Sequence, residues 1–144
     1  MEQIFKDLFC YCRSLSFAYQ QIHWTCKNVV FYQDHLLAER LYGSANEEVD
    51  GIAEKSVGVT GGIKAIELID ALEMMEEKLK SFPVESKENG DLFKFCLKIE
   101  EELIQFCTKS EKEAKITLGL KNMLADIADR CEGRVYLLKQ RLKK

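Results

Sequence analysis

The chain holds a single proline, a single tryptophan and two histidines in 144 residues. No apolar run approaches the ~18 residues of a membrane-spanning helix, so no membrane partner is expected. No period-two alternation of useful length appears, which excludes a sheet-built core and leaves an all-α fold. Six cysteines are present, yet Cys10, Cys12, Cys26, Cys96, Cys107 and Cys131 lack the CxxC spacing of zinc ribbons and redox motifs. Cys10 and Cys12 stand two apart, which on a helix points them to different faces and argues against one shared metal. Cys96, Cys107 and Cys131 fall on or beside apolar stripes and read as small core residues. Cys26, three residues after His23, is the exception, because it lies about one turn from the candidate site described below.

An excess of charge of one sign is also missing. A formal net charge of -3, with both signs interspersed, describes an ordinary surface and not a nucleic-acid binder. Met1-Glu2-Gln3 lacks the basic start of a secretory signal, so the expected compartment is the cytoplasm. The length suits one domain over residues 1–144, with a sizeable core and no room for a second.

Helical periodicity is what the chain has in quantity. Ile4, Leu8, Cys12, Leu15, Tyr19, Ile22 and Cys26 share one stripe, widened by Phe5 and Phe9, and predict a long amphipathic helix over about Glu2 to Asn28. Neither proline nor glycine marks the turn from Asn28 to Phe31, where Asn28 is the candidate cap. From His35 onward Leu36, Leu37, Leu41, Ala45, Val49, Ile52 and Ala53 recur at helical spacing. This second helix is expected to end around Gly58, with Gly61-Gly62 closing any continuation. Ile63 to Met75 supplies a shorter helical piece, and Phe82-Pro83 stops whatever precedes it. The polar loop Ser86 to Asp91 offers caps for a third long helix through Leu92, Cys96, Ile99, Leu103 and Phe106. On that helix Glu100, Glu101 and Glu102 read as the solvated face. A fourth begins near Thr117 and carries Leu120, Leu124, Ile127, Cys131, Val135, Leu138 and Leu142 on one stripe. Four long amphipathic segments make a helical bundle the natural packing solution.

The stretch from His23 to Glu54 carries the chemistry. It contains both histidines, and on the second helix His35 with Glu39, and Asp50 with Glu54, form two i, i+4 pairs that project ligand-type side chains from neighbouring turns. At about 1.5 Å per residue the midpoints of the pairs are separated by roughly 22 Å, too far for one metal site. A second copy crossing antiparallel about a two-fold axis near Gly43, Ser44 and Ala45 would set His35 and Glu39 of one chain opposite Asp50 and Glu54 of the other. His23 joins them if the first two helices form a hairpin. The mixed imidazole and carboxylate set suits Fe(II), Zn(II) or Mn(II) and is too nitrogen-rich for Ca(II). Taken alone, each feature has a plainer reading. His23 beside Trp24 is a buried histidine in an aromatic patch, His35 with Glu39 a surface ion pair, and Asp50 with Glu54 a polar face. Their conjunction at one two-fold solution is what points to a site.

His23-Trp24, Lys27, Phe31, His35, the acid at 39, Asp50 and Glu54 resemble the signature of the mini-ferritins, the Dps family ("DNA-binding protein from starved cells"). Gly61-Gly62 falls at that family's glycine-rich turn, and Cys131 to Leu142 is similar to its closing helix, so the resemblance covers most of the chain. It implies a ferritin-like four-helix bundle with a short extra helix between the second and third long helices. It also implies a dodecameric homo-oligomer built from two-fold dimers, with ferroxidase sites shared across the two-fold interfaces. His23, His35 and Glu39 of one subunit with Asp50 and Glu54 of its partner would then bind Fe(II), in a mono-iron or di-iron arrangement with Zn as a competitor. Hydrogen peroxide or dioxygen would oxidise the iron there, ferric oxide would be stored inside the shell, and the cell would be protected from oxidative damage. Position 39 departs from the family, which more often has Asp there; the extra methylene of Glu39 moves the oxygen. No ExxH motif occurs, which argues against a di-iron site inside a single bundle as in larger ferritins. Trp24 has two roles open to it, packing against the site or packing in the core.

An alternative reading is a DNA-packaging or structural shell whose metal site is incidental. In the family, chromatin binding often uses a lysine-rich N-terminal arm, and Met1 to Phe5 provides none. The basic tract of Lys139, Arg141, Lys143 and Lys144 is the remaining candidate, repeated on a shell so that avidity offsets weakness. For iron entry through acidic pores, the family analogy points to Glu111, Glu113, Asp126 and Asp129.

Overall fold

The computed structural model describes residues 1–62 and 64–143. Among these described residues five α-helices follow one another: α1 (Glu2–Thr25), α2 (Phe31–Thr60), α3 (Leu68–Leu79), α4 (Asn89–Ser110) and α5 (Leu118–Leu142). A single 3-10 turn, Lys64–Ile66, precedes α3, and the described residues contain no strand. The helix α1 packs along α2 and α4 along α5, while α1 also meets α4 and carries α3 on its outer side. The bundle is therefore α1, α2, α4 and α5, with α3 as the short extra helix.

Every residue of the predicted α1 stripe, Ile4 through Cys26 with Phe5 and Phe9, is buried. Each fully buried Leu or Phe contributes about 1.5–3 kcal/mol, so this face alone anchors the helix in the bundle. The stripe on α2 is phased differently from expectation. Ala38, Leu41, Ala45, Val49 and Ile52 are buried, but Leu36 is 43% exposed, and Asp34 and Glu48 are buried in its place. The α5 stripe holds through Leu120, Leu124, Ile127, Cys131 and Leu138, with Arg134 buried where Val135 was expected to face inward.

Local chemistry sets the boundaries. α2 runs two residues past Gly58 and ends at Gly61, whose φ of 73° is left-handed and whose N–H returns to the Val57 carbonyl at 2.9 Å. α3 starts after Glu67, whose carboxylate accepts from the N–H groups of Ile69 and Asp70. The expected helical start at Ile63 lies outside the described residues, and α3 itself begins at Leu68 and runs on to Leu79. Thr117 caps α5 by accepting from the Leu120 N–H at 3.1 Å. Asn28 is not a helix cap. It sits at φ 74°, a left-handed conformation that asparagine tolerates, and its carbonyl accepts from the Phe31 N–H at 3.0 Å to turn α1 into α2.

Candidate metal centre

That tight turn folds the last turn of α1 against the first turns of α2, and it brings the two histidines face to face. The imidazoles of His23 and His35 stack with centroids 3.8 Å apart and planes 20° from parallel. Phe31 stacks on the other side of His35 at 5.2 Å, and Tyr42 meets His23 edge-on at 5.5 Å, so the pair is held in a short aromatic column. His23 and His35 are each half-buried.

Hydrogen bonding fixes which nitrogen is available. His23 Nδ1 lies 3.1 Å from the His35 carbonyl oxygen, and His35 Nδ1 lies 2.8 Å from the His23 carbonyl oxygen. A carbonyl only accepts, so each Nδ1 carries the proton and donates it. In the neutral ring each Nε2 is then the nitrogen with the lone pair, and neither has a described partner. Orientation of a ligand histidine through a hydrogen bond from its other nitrogen is the usual support of a metal site.

The carboxylates are arranged otherwise. Glu39, Asp50 and Glu54 are exposed along α2 and make no described hydrogen bond or ion pair. Among the described residues of one chain, no group of three or more His, Cys, Asp and Glu side chains is placed to hold a metal. The structure thus joins His23 to His35, and within one chain no third candidate completes a ligand set with them. Cys26 does lie beside the pair, but its thiol faces backbone, 3.9 Å from the His23 carbonyl and 3.7 Å from that of Phe31. Burial, helped by Asp34, pushes this thiol up and keeps it protonated. Trp24 is 66% exposed in the single chain, so it is not part of the core.

The small residues at the expected crossing divide. A Cβ on Gly43 would meet nothing within 4 Å, so that position is open. Ala45 is fully buried in its own bundle and cannot line a crossing between copies. Ser44 is half-buried and accepts from Arg134 Nη1 at 3.0 Å within the same chain.

Arg134 leads to a second cluster that the sequence reading missed. Its guanidinium donates to Glu100 from Nε at 2.6 Å and from Nη2 at 3.1 Å, and to Glu48 from Nη1 at 2.8 Å and Nη2 at 3.1 Å. Tyr19 donates its hydroxyl to Glu100 at 2.6 Å, and the Cys12 thiol approaches Glu48 at 3.5 Å. Glu100 is fully buried, which corrects its assignment to a solvated face. Burial works against the Arg134 charge, but Glu100 and Glu48 outweigh it and hold the guanidinium above its ordinary value. Burial also keeps the Glu48 carboxyl above the usual carboxylate range, although Arg134 opposes the shift. A signal was available: Glu48, Glu100 and Arg134 each stand three or four residues from buried members of their own helix stripe.

Ion pairing also reduces the basic tract. Arg141 binds Asp34 through Nε at 2.5 Å and Nη2 at 2.8 Å, and Lys139 pairs with Glu101 at 2.8 Å. Lys144 lies outside the described residues. Of the proposed pore acids, Asp126 pairs with Arg130, while Glu111, Glu113 and Asp129 are exposed without a described side-chain partner.

No protein-family model and no curated protein matches the sequence. Solved structures do resemble it. Dps from Thermosynechococcus elongatus aligns with a TM-score of 0.84 at 17% identity, covering 99% of this chain and 90% of that one. DpsC from Streptomyces coelicolor aligns with a TM-score of 0.87 at 20% identity, covering 99% of this chain and 83% of that one. Alignments of this quality over nearly the whole chain give it the ferritin-like four-helix-bundle fold of these Dps proteins, with α3 as the short extra helix of this chain.

Proposed function

We propose that this chain is a mini-ferritin that binds Fe(II) as a substrate and oxidises it with hydrogen peroxide or dioxygen. The observation that carries this reading is the stacked histidine pair, in which both Nδ1 protons are spent on backbone carbonyls and both Nε2 lone pairs are left over. Two neutral imidazole donors side by side suit a borderline divalent ion such as Fe(II), with Zn(II) as a competitor. Two histidines do not complete a ligand set. In this proposal Glu39 of the same chain and Asp50 and Glu54 of a second copy supply the oxygen ligands.

Each donor type has its own part in the oxidation. Imidazole holds the ferrous ion, while the harder carboxylate oxygens favour the ferric product and so draw the reaction forward. Each Fe(II) gives up one electron; peroxide takes two electrons and two protons and leaves as water. In the proposal the ferric product passes to the inside of a closed, dodecameric homo-oligomer, where it is stored as oxide, and the cell is spared oxidative damage. The proposed compartment is the cytoplasm, in keeping with six free cysteines. No helix among the described residues is long and apolar enough to cross a membrane.

The test is aerobic Fe(II) oxidation followed by ferric absorbance, with and without peroxide. The protein should exceed a protein-free blank, and an equal rate would end the ferroxidase reading. The packaging alternative has less support, because Arg141 and Lys139 are tied to acids. A gel shift that retains DNA at both low and physiological salt would restore it.

A further inference from the structure

The partners that orient His23 and His35 are backbone carbonyls, so no single side chain makes those hydrogen bonds. Whatever fixes the pair must therefore fix the backbone between the helices. One residue does this directly. Asn89, buried at the start of α4, accepts from the Lys27 N–H at 3.2 Å through Oδ1 and donates through Nδ2 to the Lys27 carbonyl at 2.8 Å. The same Nδ2 donates to Asp34 Oδ2 at 2.8 Å. Asp34 is fully buried, immediately precedes His35, and is gripped by Arg141 from the last turn of α5. Lys27 lies just after α1 and Asp34 just inside α2, so one side chain holds both ends of the turn.

We infer that Asn89, Asp34 and Arg141 form a clamp that presets the histidine pair, acting as positioning residues for its metal ligands. The inference rests on the reading of that pair as a metal site. Asn89 uses both its donor and its acceptor side on the turn, and Arg141 neutralises the one buried charge beside it. α4 and α5, which contribute no candidate ligand, thereby determine where the two Nε2 atoms stand. Releasing Asn89 would free the Lys27 peptide, let the two carbonyls drift from the rings, and return each imidazole to a mixture of tautomers.

The experiment uses the assembled protein labelled with [15N]histidine, which reports on two rings and no others. In the metal-free wild type both rings should show protonated Nδ1 and bare Nε2. Asn89→Ala should scramble that assignment and weaken Co(II) binding, read from its visible absorption, by at least about tenfold. Arg141→Met, at the less buried end of the clamp, should act in the same direction and covers the event that Asn89→Ala does not fold. Arg141→Lys keeps a cation on Asp34 and should restore most of the affinity. Leu103→Ala, a comparable loss of stability in the core away from the turn, should leave both rings and Co(II) affinity unchanged. Unchanged ring signals and Co(II) affinity in Asn89→Ala and Arg141→Met would overturn the clamp. Equal losses in Leu103→Ala would also overturn it, reducing the effect to general stability. If the tautomers shift as expected but the wild type binds no Co(II), the clamp stands and the metal reading falls.

Discussion

Two polar clusters sit in this bundle, and they use side chains of similar chemistry to opposite ends. Around Arg134, each guanidinium nitrogen finds an acceptor inside the chain: the group engages Glu48, Glu100, Ser44 and Cys131, and Tyr19 completes Glu100. At the α1–α2 corner the accounting stops short. Each histidine satisfies one nitrogen on backbone and leaves the other without a described partner. A buried cluster must close on itself, because an unpaired charge in the interior is costly. A half-buried one can keep a lone pair in reserve because water meets it until a ligand does. The number of unmet hydrogen-bonding positions, and not the number of charged residues, separates the scaffold from the candidate site.

The comparison breaks most visibly at Arg134. Arg134→Met leaves Glu48 and Glu100 facing each other without their shared cation, and should lower stability by about 3–5 kcal/mol in urea unfolding. Retained stability would mean that the cluster is not closed by the guanidinium. At the other site the prediction is reversed in kind. His35→Ala should leave assembly intact and lower stability by only about 1–3 kcal/mol, the loss of its stacking on His23 and Phe31, while reducing the initial rate of Fe(II) oxidation by more than about tenfold through loss of a proposed ligand. Refolding His35→Ala and Asp50→Ala subunits together should recover part of the rate, because some interfaces would then hold one whole site. No recovery in confirmed mixed assemblies would place the site within one chain.

A subtler difference concerns pH. The folded state raises the Glu48 carboxyl, with burial as the leading cause. A raised carboxyl contributes its full stability below the unfolded value of about 4.3, and the contribution is lost as pH rises through the folded value. Glu48→Gln should therefore flatten part of the decline in stability above that range, seen as a difference between the two urea-midpoint profiles. Parallel profiles would mean that Glu48 titrates normally. The smallest effect is at Ser44. Ser44→Ala removes one acceptor from Arg134 and should lower stability by about 1 kcal/mol without changing the elution volume of the assembly. Dissociation would instead place Ser44 at the contact between copies.

Much of this was legible in the residues. The α1 stripe from Ile4 to Cys26 announces its buried face because an apolar period of three and four survives any later packing. His23 and His35 were legible as candidates, but not their mutual hydrogen bonds, which depend on a turn set by Asn28 and Asn89 rather than by proline or glycine. Glu100 reads as solvated in the sequence because it begins a run of three glutamates. Its partners Arg134 and Tyr19 are 34 and 81 residues away, where no local pattern reaches. Arg141 reads as free positive charge in the sequence for the same reason, since Asp34 lies 107 residues earlier. Leu36 and Trp24 fail in the other direction. They are apolar by type, yet the single chain leaves them at the surface.

Sulfur in this chain has a chemical consequence of its own. Thiols react with peroxide as thiolates, and the rate follows both the thiolate fraction and access. All six cysteines are buried and free, and burial pushes Cys10 up to about 11, Cys107 up to about 12, and Cys12, Cys96 and Cys131 well above their ordinary value. They serve as small apolar fillers whose nucleophilic form is suppressed. Were the proposed oxidation to run at the α1–α2 corner, oxidant straying into the bundle would meet these cysteines as protonated, slowly reacting thiols.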